Sequence, residues 1–209
     1  MTPWLLWLLW PLLSLAAGYL LGSVPSAALV ARLKRRDIFA VGSSSMGAMN
    51  TARNLGWALG ALVLLLDLGK GALASLVGLW LGTLAGDALY TPLAAGVGAV
   101  LGHLWSVWVG FRGGKGLATT LGVALPVYPL GGLYALLTLL VLVALSRRVT
   151  FATLLTALLY PLCVYLGSLS TVASITAPAP MITVTTLGAG LIALLVTIKH
   201  ALPVGGPRS

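Results

Sequence analysis

Apolar residues run along this chain in long blocks separated by short polar stretches, and block length is the first signal to read. Crossing the hydrocarbon core of a bilayer takes roughly 20 helical residues. The opening MTPWLLWLLWPLLSLAAGYLLG and residues 55–81, 92–109, 150–168 and 181–198 each match one crossing. The block at 117–146 does not. As one helix it would be about 45 Å long, too long for a single span yet short of two. Pro126, Pro129, Gly131 and Gly132 fall in its middle, so it is expected to form two shortened helices meeting at PVYPLGG. The pattern predicts an all-α, polytopic integral membrane protein with about seven transmembrane helices.

The polar stretches set the orientation. Basic residues cluster at Arg32, Lys34, Arg35, Arg36 and Arg53, then at Arg112 and Lys115, at Arg147 and Arg148, and at Lys199 and Arg208. Cytoplasmic loops collect Lys and Arg. If all four clusters face the cytoplasm, an even number of crossings lies between each consecutive pair. Seven helices with the N-terminus outside and the C-terminus cytoplasmic meet that condition, with GDALYTP and LSTVASITAPAPM as outside turns. Residues 1–200 then form a single transmembrane domain and residues 201–209 a short cytoplasmic tail. The first span has no basic stretch ahead of it, as expected of a retained helix and not of a cleaved signal. Trp4, Trp7 and Trp10 suit an interfacial anchor.

Composition narrows the chemistry. Of 209 residues, 59% are hydrophobic and 7% charged, and the net charge is +9. There is no Glu, so any catalytic carboxylate must be Asp37, Asp67 or Asp87. No zinc or magnesium ligand set of usual spacing is present, and Cys163 stands alone, which excludes a disulfide framework. No metal and no cofactor are expected, and no nucleic-acid partner. The surplus of positive charge points to membrane topology or to anionic substrates.

Four segments carry polar groups in unusual company. Residues 22–56, GSVPSAALVARLKRRDIFAVGSSSMGAMNTARNLG, read as a loop rich in Ser and Gly, with Ser43, Asn50 and Arg53 interleaved with glycines whose exposed N–H groups can cradle an anion. In LLLDLGKG, residues 64–71, Asp67 and Lys70 lie at i,i+3 on one helical face, where each neutralises the other. That face must point into the bundle, as a structural ion pair or as part of a site. Residues 101–120, LGHLWSVWVGFRGGKGLATT, place Arg112, Gly113, Gly114, Lys115 and Gly116 just ahead of a helix starting near Leu117. The spacing fails the nucleotide-binding P-loop, because Gly110 and Gly114 enclose only three residues and Gly116 follows Lys115. What remains is a helix N-terminus suited to phosphate. His103, one helix upstream, is either a packing residue or a proton carrier. Finally, Lys199 and His200 end the last apolar block, as snorkelling side chains do.

Together these segments resemble the PlsY family of bacterial acyl-phosphate-dependent glycerol-3-phosphate acyltransferases. GSVPSA (22–27) is similar to its opening motif, VGSSSMGAMNTAR (41–53) to its serine- and asparagine-bearing loop, DLGKG (67–71) to the following Asp…Lys-Gly, and GHLWSVWVGFRGGKGLAT (102–119) to its second motif. The resemblance implies transfer of an acyl group from acyl phosphate to the sn-1 hydroxyl of glycerol 3-phosphate. It implies a place in the bacterial inner membrane among its lipids, with the active-site loops on the cytoplasmic face. It also implies catalytic roles for His103, Ser43 and Lys115, phosphate binding by Arg53, Arg112, Gly113, Gly114, Lys115, Gly116 and Asn50, and supporting roles for Asp67, Lys70 and His200. The chain departs from the family at Ser44–Ser45 and Met49 in the first loop. Phe39 stands in place of an arginine, Ser106 in place of a proline, and after His200 the third motif is largely missing. Two other readings compete: a non-catalytic or altered-specificity paralogue that binds phospholipid or phosphorylated ligands, and a small-anion transporter, although no inverted repeat is visible.

Overall fold

The computed structural model describes residues 3–170 and 179–201. The linker between the last two helices and the C-terminal tail fall largely outside the described residues, as do the side chains of Trp4 and Trp7. The described residues form nine α-helices and two short 3-10 turns: α1 (Pro3–Ser23), α2 (Ser26–Leu33), α3 (Ala48–Leu55), α4 (Trp57–Ala85), α5 (Tyr90–Leu104), α6 (Leu117–Val127), α7 (Pro129–Ser146), α8 (Val149–Ser170) and α9 (Ala179–Ala201). Five stretches are long and apolar enough to cross a bilayer: Leu8–Leu33, Trp57–Ala85, Pro129–Ser146, Val149–Leu169 and Ile182–Ala201. α5, with 15 residues, and α6, with 11, are shorter.

The break in the 117–146 block is sharper than the sequence suggests. It is confined to Tyr128, at φ −148° and ψ 69°. Pro129 occupies the first position of α7, where its missing N–H is no loss, and it bars Tyr128 from helical geometry. Only α6 is shortened; α7 is a full 18-residue helix. A second difference lies at 92–109, where α5 ends at Leu104 and the chain turns away. The segment 22–56, read as a loop, instead contains α2, a 3-10 turn at Ile38–Ala40 and α3.

α1 packs closely along α5, and α4 lies against both α1 and α6. Small residues make the first contact possible. A Cβ on Gly18 or Gly22 would collide with the backbone of Ala95 or Ala99, and one on Gly98 or Gly102 with the backbone of Leu15 or Tyr19. Each helix thus offers a pair of glycines four residues apart, and two backbones meet where side chains would hold them apart. Gly71 and Gly122 do the same for α4 and α6. The main core joins Val97, Val100 and Leu104 of α5 to Val123 of α6, Tyr160 and Val164 of α8, and Ile192 and Val196 of α9. A smaller cluster beneath α2 holds Val30, Ile38, Phe39, Met46 and Val63. Outward faces carry exposed leucines, among them Leu65, Leu140, Leu158 and Leu187, as lipid-facing helices do.

At the far end of α4 the chain reverses through Gly86, and Asp87 caps α5. Its carboxylate accepts hydrogen bonds from the N–H groups of Leu89, Tyr90 and Thr91 at 2.9, 3.0 and 2.7 Å and from Thr91 Oγ1 at 2.7 Å. Burial would raise its pKa, but these bonds outweigh it and hold the group below the usual carboxylate range. The folded value lies below the unfolded one, so the cap contributes fully above pH ~4 and is lost as pH falls through the folded value.

Two outcomes test these contacts by thermal unfolding in detergent. Gly102→Ala, which drives a methyl into Tyr19 and Ser23, is expected to cost about 1–3 kcal/mol; an unchanged midpoint would disprove the close approach. Asp87→Ala is expected to cost about 1–2 kcal/mol at neutral pH, with the gap from wild type narrowing below pH ~4.

Candidate active site

The site is built around the end of α1. Once Gly22 has brought α1 against α5, the carbonyls of Ser23 and Val24 stand at the helix terminus, the latter accepting locally from Ser26 N–H at 3.0 Å. Lys70 of α4 donates to the Val24 carbonyl at 2.9 Å, and the Ser106 hydroxyl donates to the Ser23 carbonyl. Tyr19 of α1 donates to the Trp105 carbonyl at 2.9 Å. The GSVPSA segment is therefore the knot that ties α1, α4 and the turn after α5.

Beyond Leu104 the chain doubles back on itself. Ser106 N–H donates to the Arg112 carbonyl at 3.1 Å and Phe111 N–H to the Ser106 carbonyl at 2.8 Å. Ser106, where the sequence resemblance implies a proline, thus supplies an N–H that proline lacks. The return strand lays Gly113 and Gly114 against the end of α5: a Cβ on Gly113 would strike the carbonyls of His103 and Leu104, and one on Gly114 the His103 ring. The N–H of Gly114 donates to the His103 carbonyl at 3.1 Å. These glycines, expected as phosphate ligands, are required here by close packing on His103. Gly116, at φ +86°, turns the chain into α6, whose first N–H groups have no partner within the helix.

The other loop is organised by Asn50. Its carbonyl oxygen accepts from Ser43 N–H at 3.0 Å and from the Asn54 amide at 3.0 Å, while its NH₂ group faces the carbonyls of Ile38, Val41 and Ser45 at 3.3, 3.2 and 3.0 Å. Asn50 is 6% exposed, with its amide engaged on all sides. Its place is the interior of the loop, where it holds Ser43 N–H and the facing carbonyls together. The Ser43 hydroxyl stays near the surface, 3.0 Å from that of Ser45. Met46 N–H donates to the Gly113 carbonyl at 3.4 Å, a long bond that joins the two loops.

Below the joined loops lies a buried charged cluster. Lys70 Nζ is 2.8 Å from Asp67 Oδ1, so the pair expected from the i,i+3 spacing is present, with side chains 7% and 3% exposed. His103 Nδ1 approaches the same carboxylate oxygen at 3.5 Å, too long for a formed hydrogen bond, and has no other partner. At 3% exposure His103 is enclosed. Its Nε2 lies under Gly114. Lys115 is half-buried, and Arg53 and Arg112 are exposed. Arg112 is steered by its own loop, donating from Nε to the Val109 carbonyl at 3.3 Å and stacking its guanidinium 3.9 Å from the centre of the Phe39 ring. The end of α9 closes the site from the other side: Lys199 lies 5.2 Å from the Trp105 ring centre, and His200 Nδ1 is bonded to the Val196 carbonyl at 2.8 Å, within electrostatic range of Lys115. The sequence reading missed Ser106 and Asn54 as organisers. Asn54 could have been read from its i,i+4 spacing to Asn50, whereas the partner of Ser106 lies 83 positions away.

A helical membrane protein with basic, glycine-rich loops joined over a buried Asp–Lys–His cluster is a class suited to anionic, lipid-linked substrates. The family model described as glycerol-3-phosphate acyltransferase matches residues 12–204. The chain is 43% identical over 169 residues to glycerol-3-phosphate acyltransferase 1 of Dehalococcoides mccartyi, covering 78% of this chain and 80% of that one. It is 44% identical over 156 residues to the glycerol-3-phosphate acyltransferase of Gloeobacter violaceus, covering 72% and 74%. Two crystal structures of PlsY, an integral membrane glycerol 3-phosphate acyltransferase, superpose on it. The glycerol 3-phosphate form has a TM-score of 0.74 at 31% identity, covering 91% of this chain and 88% of that one. The lysophosphatidic acid form has a TM-score of 0.76 at 30% identity, covering 91% and 87%. The chain belongs to the glycerol-3-phosphate acyltransferase family and is a multi-pass membrane protein.

Asn50→Ala removes the centre of the first loop and leaves buried carbonyls unmatched. Its expected cost is about 1–3 kcal/mol, seen as a lower unfolding midpoint together with faster proteolytic cleavage within residues 41–47. Wild-type behaviour in both would show that the amide does not hold the loop.

Proposed function

We propose that this chain transfers an acyl group from acyl phosphate to the sn-1 hydroxyl of glycerol 3-phosphate, giving lysophosphatidic acid for phospholipid synthesis. Family membership supports the reaction. The observation that carries the site is the joining of the Ser43 and Lys115 loops, through Met46 and Gly113, directly above His103. The relatives' crystal forms, one with glycerol 3-phosphate and one with lysophosphatidic acid, agree with a phosphorylated substrate and a lipid product.

An acyl phosphate is a mixed anhydride, already activated, so the protein has mainly to position two phosphate-bearing molecules and neutralise them. Arg53, Lys115 and Arg112 supply positive charge at the recess, and the N-terminus of α6 adds N–H groups. The Ser43 hydroxyl supplies a further hydrogen bond. The glycerol hydroxyl oxygen attacks the acyl carbonyl carbon, the bond from that carbon to the phosphate oxygen breaks, and phosphate departs. No covalent enzyme intermediate is required. The hydroxyl proton passes to the departing phosphate or to His103. The enclosure of His103 favours the phosphate as acceptor. His103, backed by Asp67 and Lys70, then fixes the floor on which Gly114 rests.

In the membrane, α5 and α6 are inserted beside the five longer stretches, making seven crossings with the N-terminus outside. That arrangement puts both loops and the end of α9 on the cytoplasmic face of the bacterial inner membrane. It is supported by the basic residues that gather there. Residues 1–200 act as one domain, with 201–209 as a tail.

The test is to incubate purified protein with acyl phosphate and radiolabelled glycerol 3-phosphate. Lysophosphatidic acid is expected to form, and Lys115→Ala or Ser43→Ala to lower its rate by about 100-fold or more. His103→Ala is expected to be impaired together with a lowered unfolding midpoint. Absence of product at every acyl-chain length from intact protein would overturn the assignment.

A further inference from the structure

A cavity of about 470 Å³ opens beside α2 and the turn after α5, lined by Arg32, Arg36 and Arg112 together with Asp37, Phe39 and Trp108. Of the residues assigned to acyl transfer, only Arg112 reaches it. Asp37 is occupied locally, its carboxylate accepting from Phe39 N–H at 2.9 Å. Among the described residues the ion pairs within 4.0 Å are those of Asp67 with Lys70 and His103, so none of the three guanidinium groups has a carboxylate partner. Three guanidinium groups against the single Asp37 carboxylate leave the concavity with a positive excess that attracts an anion, and guanidinium groups match phosphate in particular.

The rim shows where that anion comes from. α2 exposes Leu29 (46%) and Leu33 (77%) beside Arg32, and the turn after α5 exposes Trp108 (61%) and Phe111 (60%). Apolar side chains on α2 and bulky aromatics across from it, framing arginines, are the pattern of a surface at headgroup depth in a membrane. A soluble phosphate compound needs the arginines but gains nothing from exposed Leu and Trp, whereas a lipid engages both. We propose that this cavity binds the phosphate of an anionic phospholipid headgroup, with Trp108 and the leucines of α2 against the adjoining acyl region. Phe39 holds the Arg112 guanidinium at the inner wall. The proposal does not rest on the catalytic reading.

The test uses the full chain in detergent and native mass spectrometry with phosphatidylglycerol or phosphatidylcholine. Wild type is expected to retain phosphatidylglycerol in excess over phosphatidylcholine. Arg32→Gln combined with Arg36→Gln is expected to lower that excess about tenfold or more. Arg147→Gln combined with Arg148→Gln, which removes the same charge from another loop, is expected to keep it. Should the first pair fail to fold, Trp108→Ala, with all charges intact, takes its place and is expected to lower retention several-fold. Equal retention by wild type and the Arg32/Arg36 pair overturns the site, as does equal loss in both arginine pairs, which would be bulk charge. Displacement of the lipid by millimolar inorganic phosphate overturns the headgroup assignment in favour of a free ion. Acyl transfer is expected to stay near wild type in the Arg32/Arg36 pair; its loss together with lipid retention would make the cavity part of the catalytic site.

Discussion

A lysine buried at the meeting point of three helices is the constraint on which this structure depends. Lys70 cannot sit there unpaired, and its partners come from two directions, the Asp67 carboxylate one turn back on α4 and the Val24 carbonyl at the end of α1. A buried pair of this kind is poor evidence of net stability. What it provides is register, since α4 can slide along α1 only by breaking a bond to a buried charge. His103 of α5, 3.5 Å from the same carboxylate, adds the third helix to the same point.

Both loops are stacked on that point. The doubled-back chain from Ser106 to Gly114 lies on the end of α5, Gly114 rests on the His103 ring, and Met46 attaches the serine loop to Gly113. The two joined loops are therefore pinned to helices by backbone contacts. Positioning is most of what an acyl phosphate requires of its enzyme, and a loop fixed to within a backbone hydrogen bond can supply it.

Departures from the family pattern become intelligible at the same places. Ser106 contributes an N–H to the turn and a hydroxyl to the Ser23 carbonyl, two bonds that proline would not make. Phe39 gives the Arg112 guanidinium a ring to stack on. Nothing in the structure explains the change at Met49, whose side chain is 41% exposed.

Much of the architecture follows from the sequence alone. Block length specified helices that cross a bilayer, and two prolines at 126 and 129 specified a break, because Pro129 restricts the residue before it. The i,i+3 spacing of Asp67 and Lys70 specified their pairing, since neighbours on a helix face are fixed by local geometry. The glycine pairs at 18 and 22 and at 98 and 102 are equally visible as small residues four apart, but nothing local says that they face one another. That, the 83-residue reach from Ser106 to Ser23 and the turning of Asn50 into its own loop were decided by tertiary structure. Each depends on which backbone groups the packed helices leave unbonded, and a chain read one segment at a time does not hold that information.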